Sequence, residues 1–268
     1  MKLFACMCNQ PQRLSAALAP VRPALVAQPV VSRWGLGYIQ GGDVLLVRTP
    51  KASELPVDLG GPLTGKPPQI ATDCAIALAV RDDAAIPPLG GTDNTPPFRF
   101  RRWLFGQSGV LNFDAVAPRL LEHVPEYLRR NMRGRTPGEL IFHLFLAMLH
   151  DEGNIDDVNL PVAVTRRALA ATLRLVTSEL ERANRPTAIG NIALSNGRSM
   201  VCARIHEPLR VRRLWLLDER GNRDEAFRGV IMVSGGDGDA KDGFEDVAAN
   251  TAVLVSRDLQ VSFAELAP

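Results

Sequence analysis

Two apolar runs with helical character, residues 139–150 and 161–184, lie next to one another in the middle of the chain, and everything on either side of them is broken into short strand-like pieces. In the second run Val164, Ala168, Leu169, Leu173, Val176 and Leu180 recur at three- and four-residue spacing, which places them on one face of a helix. Pro161 suits its first turn. The first run is apolar on nearly every side and reads as a buried helix. A third segment, 113–128, has Phe113, Val116, Leu120, Val124 and Leu128 at helical spacing, with Pro118 and Pro125 as local disturbances. Before these helices come apolar strand-like runs at 2–8, 34–39, 44–48, 75–81 and 103–105; after them come 188–194, 200–205, 211–217, 228–233, 252–256 and 259–263. Gly41-Gly42 and Asn196-Gly197 are hairpin signals, the second for a two-residue turn. Residues 12–28, with Pro20 and Pro23, allow only a brief helix, and 49–69 read as a loop. Strands, then helices, then strands joined by hairpins specify an α+β protein with antiparallel sheets, because a parallel sheet needs strands that alternate with helices.

The 268 residues are enough to bury a full core, and without a linker or repeat they read as a single domain, 1–268. A formal net charge of +2 gives no broad field for nucleic acid or an anionic membrane surface. No apolar run approaches the length of a membrane span. The opening residues turn polar at Asn9, too soon for a signal-peptide core, so Cys6, Cys8, Cys74 and Cys202 are expected as reduced thiols in a cytoplasmic protein. Cys6-x-Cys8 with Cys74 lacks the second pair or the histidines of a zinc site, so neither a metal nor any other cofactor is expected.

The stretch 94–111 holds the chemistry. It runs Asn94-Thr95-Pro96-Pro97-Phe98, then Trp103-Leu104-Phe105-Gly106-Gln107-Ser108-Gly109, a buried strand feeding a tight turn. With it go the opening Leu3-Phe4-Ala5, the hairpin strand Trp34-Gly35-Leu36-Gly37-Tyr38, Val80-Arg81, and Thr136-Pro137-Gly138-Glu139. Together these segments resemble the class II (N-terminal-nucleophile) glutamine amidotransferases, whose corresponding segments read N-T-H-P-F, W-L-F-A-H-N-G, G-W-G-x-G-Y, H-V-R and T-D-S-E. The resemblance implies a four-layer αββα sandwich of antiparallel sheets.

It also implies a reaction whose residues this chain has changed. In the family the first residue after the initiator methionine is a cysteine whose own α-amine activates its thiol. Here Lys2 stands in place of the family's Cys-Arg pair. The histidine before V-R is matched by Ala79, the histidine of N-T-H-P-F by Pro96, and the oxyanion asparagine by Ser108. The aspartate that pairs with the substrate amine is matched by Gly138, or by Pro137 one residue earlier. Arg81 and Gly109 keep the family's letters, so Arg81, Ser108 and Gly109 are the expected contacts for a glutamine-like small molecule. The reading is a pseudoenzyme that works as a binding, structural or regulatory subunit for a protein partner. The rival reading is an active amidohydrolase or amidotransferase with a displaced nucleophile: Ser108, or Cys6 or Cys8 exposed by removal of residues 1–5 or 1–7.

Other candidates weigh less. His143 and His150 are expected to pack or cap, and His123 and His206 are isolated. Asp82-Asp83 and the run 129–135, with Arg129, Arg130, Arg133 and Arg135, are expected as solvated charge, although the basic run could dock an acidic partner. Residues 235–243 carry Asp237, Asp239 and Asp242 without the spacing of a calcium loop and read as a connector.

Overall fold

The computed structural model describes residues 1–65, 67–82, 89–109, 112–186, 189–235 and 243–266. Its strands in chain order are β1 (Lys2–Cys8), β2 (Val26–Ala27), β3 (Arg33–Gln40), β4 (Asp43–Thr49), β5 (Val57–Asp58), β6 (Cys74–Val80), β7 (Phe98–Phe100), β8 (Trp103–Gln107), β9 (Ile192–Ser195), β10 (Met200–Arg204), β11 (Leu209–Leu214), β12 (Gly229–Ser234), β13 (Glu245–Asp246), β14 (Thr251–Val255) and β15 (Val261–Glu265). The helices are α1 (Leu14–Leu18), α2 (Gly61–Thr64), α3 (Ala117–Glu122), α4 (Glu126–Arg129), α5 (Pro137–Asp151) and α6 (Val162–Arg182). Seven strands form one sheet in the order β13-β11-β12-β1-β6-β3-β4, and six form a second in the order β15-β14-β10-β9-β8-β7. The pairings within both sheets are antiparallel.

Strand alternation decides which side chains meet. Along β1, Leu3, Ala5 and Met7 face the second sheet, where they join Leu104, Ala193, Cys202 and Val253 in an inter-sheet core. Phe4, Cys6 and Cys8 point the other way, onto Leu14, Leu18, Leu25 and Leu63 from α1, the 3-10 turn that follows it, and α2. The outer face of the six-stranded sheet is covered by α5 and α6, with Trp103 edge-on to Phe145 at 5.2 Å and Phe105 stacked on Phe142 at 5.1 Å. Helix, sheet, sheet, helix is the αββα order.

Several local readings change. The segment 113–128 is two short helices, α3 and α4, because Pro125 stands as the N-cap of the second and cannot continue the first. Pro161 is the N-cap of α6 and precedes its first turn. The face that α6 buries also takes in Thr165, Thr172 and Glu179; the carboxylate of Glu179 pairs with Arg182 at 2.6 Å. The Asn196-Gly197 turn spans four residues, since Ser195 pairs with Met200 and the Asn196 side chain accepts from the N–H groups of Arg198 and Ser199 at 3.0 and 2.9 Å. Val110, Leu111, Asp83, Ala188, Asp237, Asp239 and Asp242 lie outside the described residues. Among the described residues no helix is long and apolar enough to cross a membrane.

Candidate functional site

The start of β1 lies in the middle of the seven-stranded sheet, between β12 and β6, and opposite the turn that ends β8. There the N–H of Gly109 donates to the thioether sulfur of Met1 at 2.9 Å. Met1 meets this turn, whereas Lys2, which stands in place of the family's Cys-Arg pair, faces the opposite side of the sheet. Ser108 is 1% exposed, and both its N–H (2.8 Å) and its hydroxyl (3.4 Å) donate to the backbone carbonyl of Asn191. The Gln107 amide folds back to donate to the Ser108 carbonyl at 2.5 Å. Gly190 packs so tightly on this turn that a Cβ on it would come within 1.3 Å of the Ser108 carbonyl oxygen.

Asn191 ties the site together and carried no sequence signal, since a lone asparagine at a strand start matches no pattern. Its amide nitrogen donates to Glu207 O and to Ser234 Oγ, both at 2.8 Å, and its amide oxygen accepts from the N–H groups of Ile205 (2.9 Å) and His206 (3.2 Å). Ser234 belongs to the seven-stranded sheet and Asn191 leads into β9 of the other, so this side chain is a polar bridge between the sheets. Every donor and acceptor it owns is used.

Lys2 opens onto a different space. Its Nζ donates to Gly235 O at 2.6 Å, and the side chain lines a cleft of about 560 Å3 on the outer face of the seven-stranded sheet. Ala79, the cross-strand partner of Lys2, lies beside it, with Arg81, Arg210, Phe244 and Val30 around the rim. Lys2 is 7% exposed; burial first, and the neighbouring Arg210 second, push its amine down to about 8. Arg210 also lies over the Phe244 ring, 5.5 Å from its centroid. Arg81 is exposed at the mouth of this cleft, whereas Ser108 and Gly109 belong to the turn behind Met1. The expected trio is therefore split, with Met1 touching both parts.

The remaining expected positions have structural surroundings. Pro96 is buried next to β3. Gly138, in the first turn of α5, sits where a Cβ would lie 3.2 Å from Gln107 Oε1 and 3.4 Å from Phe98. Thr136 caps α5 by accepting from the Glu139 N–H at 3.2 Å, and the Glu139 carboxylate turns back to the N–H groups of Arg133 and Gly134 at 2.8 and 2.7 Å. All four cysteines are free and buried. Burial pushes the thiols of Cys8 and Cys74 up to about 12 and raises those of Cys6 and Cys202 as well. His143 is buried with Nδ1 on the Glu139 carbonyl at 2.9 Å, and His150 packs on Tyr127. Asp82, expected as solvated charge, is paired with Arg33 at 2.5 Å. Among the described residues no group of three or more His, Cys, Asp or Glu side chains is placed to hold a metal ion.

No protein-family model and no curated protein matches the sequence. Solved structures do match the fold. A glutamine aminotransferase class-II domain protein from Silicibacter pomeroyi superposes with a TM-score of 0.64 at 15% identity, over 100% of both chains. An allosteric regulatory enzyme of purine biosynthesis gives 0.56 at 12% identity, over 100% of this chain and 49% of that one. A predicted glutamine amidotransferase from Pseudomonas aeruginosa PA01 gives 0.52 at 15%, over 97% of this chain and 95% of that one. The chain thus has the antiparallel αββα fold of class II glutamine amidotransferase-like proteins.

Proposed function

We propose that this chain is a catalytically inactive protein of glutamine amidotransferase-like fold that works by binding, as a structural or regulatory subunit for a protein partner, with a glutamine-like small molecule held at Arg81 as a secondary role. The observation that carries this reading is the Met1 thioether on the Gly109 N–H. Hydrolysis of a side-chain amide needs a nucleophile with a removable proton and free donors where the oxyanion forms. A thioether has no proton to give up, and here it takes the donor. The amine of Lys2 is no substitute, because its attack on a carboxamide would end in a stable amide and stop after one turn. The Ser108 hydroxyl is committed to Asn191 O.

The rival nucleophiles fare no better. Cys6 and Cys8 are 0% and 4% exposed inside β1, where Cys6 pairs with Ile231 and Ala75 on its two sides. Removing residues 1–5 or 1–7 would strip most of the central strand from its sheet. For a protein partner, β4 and β15 are open sheet edges with Leu45, Val47 and Phe263 exposed by 36%, 38% and 51%. Iodoacetamide with intact-mass detection tests the proposal. The native protein should keep its full-length mass with no thiol alkylated, and all four thiols should react after unfolding. Rapid single alkylation of the native chain at Cys6 or Cys8 would point to a working thiolate and overturn it.

A further inference from the structure

At the opposite end of the sandwich from Met1 is a second cleft, of about 370 Å3, which shares no lining residue with the first. Three turns at the same end of the six-stranded sheet each bring one arginine to it: Arg102 from between β7 and β8, Arg198 from between β9 and β10, and Arg257 from between β14 and β15. These residues are far apart in sequence, so only the fold assembles them. Asp73, just before β6, is the single carboxylate in the lining, and among the described residues none of the three arginines pairs with it. Arg198 is held in place by Asn159 Oδ1 at 3.0 Å. Ile39 and Leu259 supply an apolar floor.

A second observation is independent of this charge. Two buried donors in the wall, Asn196 Nδ2 and Arg102 Nε, have no acceptor among the described residues. Asn196 is 2% exposed, and its amide orientation is fixed, because Oδ1 already accepts from the backbone of Arg198 and Ser199. Buried donors normally find partners, and leaving one unpaired is costly. Three guanidinium groups, one of them with an unpartnered Nε, and the unpartnered Asn196 amide suit an anion with several acceptor oxygens.

We propose that this cleft binds a phosphate group, with Arg102, Arg198 and Arg257 as its cationic clamp and Asn196 as a further donor. The guanidinium fork matches phosphate oxygens two at a time. The volume is at the lower end of ligand sites, which begin at about 300 Å3, so the group is inorganic phosphate or the head of a small monoester.

Calorimetric titration of the full-length protein with sodium phosphate, sn-glycerol 3-phosphate and glycerol, at constant ionic strength, tests this. Saturable one-to-one binding of either phosphate but not of glycerol is expected, and the tighter of the two phosphates identifies the source. Arg257→Ala, at an exposed position that should not disturb folding, and Arg198→Ala should each weaken binding by about tenfold. Absence of saturable binding would overturn the proposal. So would binding that survives both substitutions, or binding that Arg81→Ala abolishes while Arg257→Ala leaves it intact, which would place the anion in the other cleft. Because Met1 and Lys2 take no part, the outcome does not depend on whether the protein hydrolyses glutamine.

Discussion

Lys2 brings an ammonium group to a place with little water and another cation nearby, and its hydrogen bond to Gly235 O does not offset that cost. Its amine falls to about 8 from an ordinary 10.5, and the sign of the pH effect follows. Below about 8 both folded and unfolded chains carry the charge, so the fold bears the full penalty, roughly 3 kcal/mol for a displacement of this size. Between 8 and 10.5 the folded chain gives up a proton that the unfolded chain keeps, so the contribution of Lys2 to stability improves as pH rises. Above 10.5 it is level. Lys2→Met removes the buried charge and should stabilise the protein at pH 7 by about 1–2 kcal/mol after loss of the Gly235 bond. Denaturant melts of the two proteins from pH 7 to 10 should converge. A Lys2→Met variant less stable than the native protein at pH 7 would show that the ammonium is neutralised in the fold.

At the scale of elements, the site depends on how β8, the strand start at Asn191 and β12 are held together. Asn191 serves all three, through Ser108, its own chain and Ser234. Asn191→Ala should leave the N–H groups of Ile205 and His206 without their acceptor and cost about 3 kcal/mol in chemical denaturation; a loss below about 1 kcal/mol would mean that the bridge is dispensable. This residue was invisible in the sequence, whereas much around it was not. The strands β1, β3, β4, β6 and β8 and the helices α5 and α6 could be read because their periodicity is set by burial, and Gly41-Gly42 marked its turn by positive φ values of 62° and 89°. Phe98–Phe100 was missed because a three-residue strand after two prolines has too little pattern to register. The four residues Gly61–Thr64 were hidden in a Pro/Gly-rich run, which packs closely on Leu25 because Gly60 has no Cβ: one there would lie 2.6 Å from Leu25 Cδ1. The letters of the candidate site were legible, but their grouping was not. Alternation along β1 sends Met1 to the Gly109 turn and Lys2 to the outer cleft, and a one-residue difference in register decides which is which.

For the whole molecule, two sheets and two helical layers make a scaffold whose ends remain open to function. One end presents Met1 to the Gly109 turn and Lys2 with Arg81 to the outer cleft; the other presents the three arginines. A shared fold does not carry a shared reaction, because reactions belong to sites. The turn of this sandwich keeps its glycine donor while the sulfur that meets it is a thioether, and its four thiols are buried as neutral groups. Ammonia release from L-glutamine and from γ-glutamyl amides by the full-length protein tests this account most directly. The account predicts no release above a heat-killed control at any pH from 6 to 9. Turnover that rises with protein concentration and is abolished by alkylation would contradict it and assign a working nucleophile to a processed cysteine.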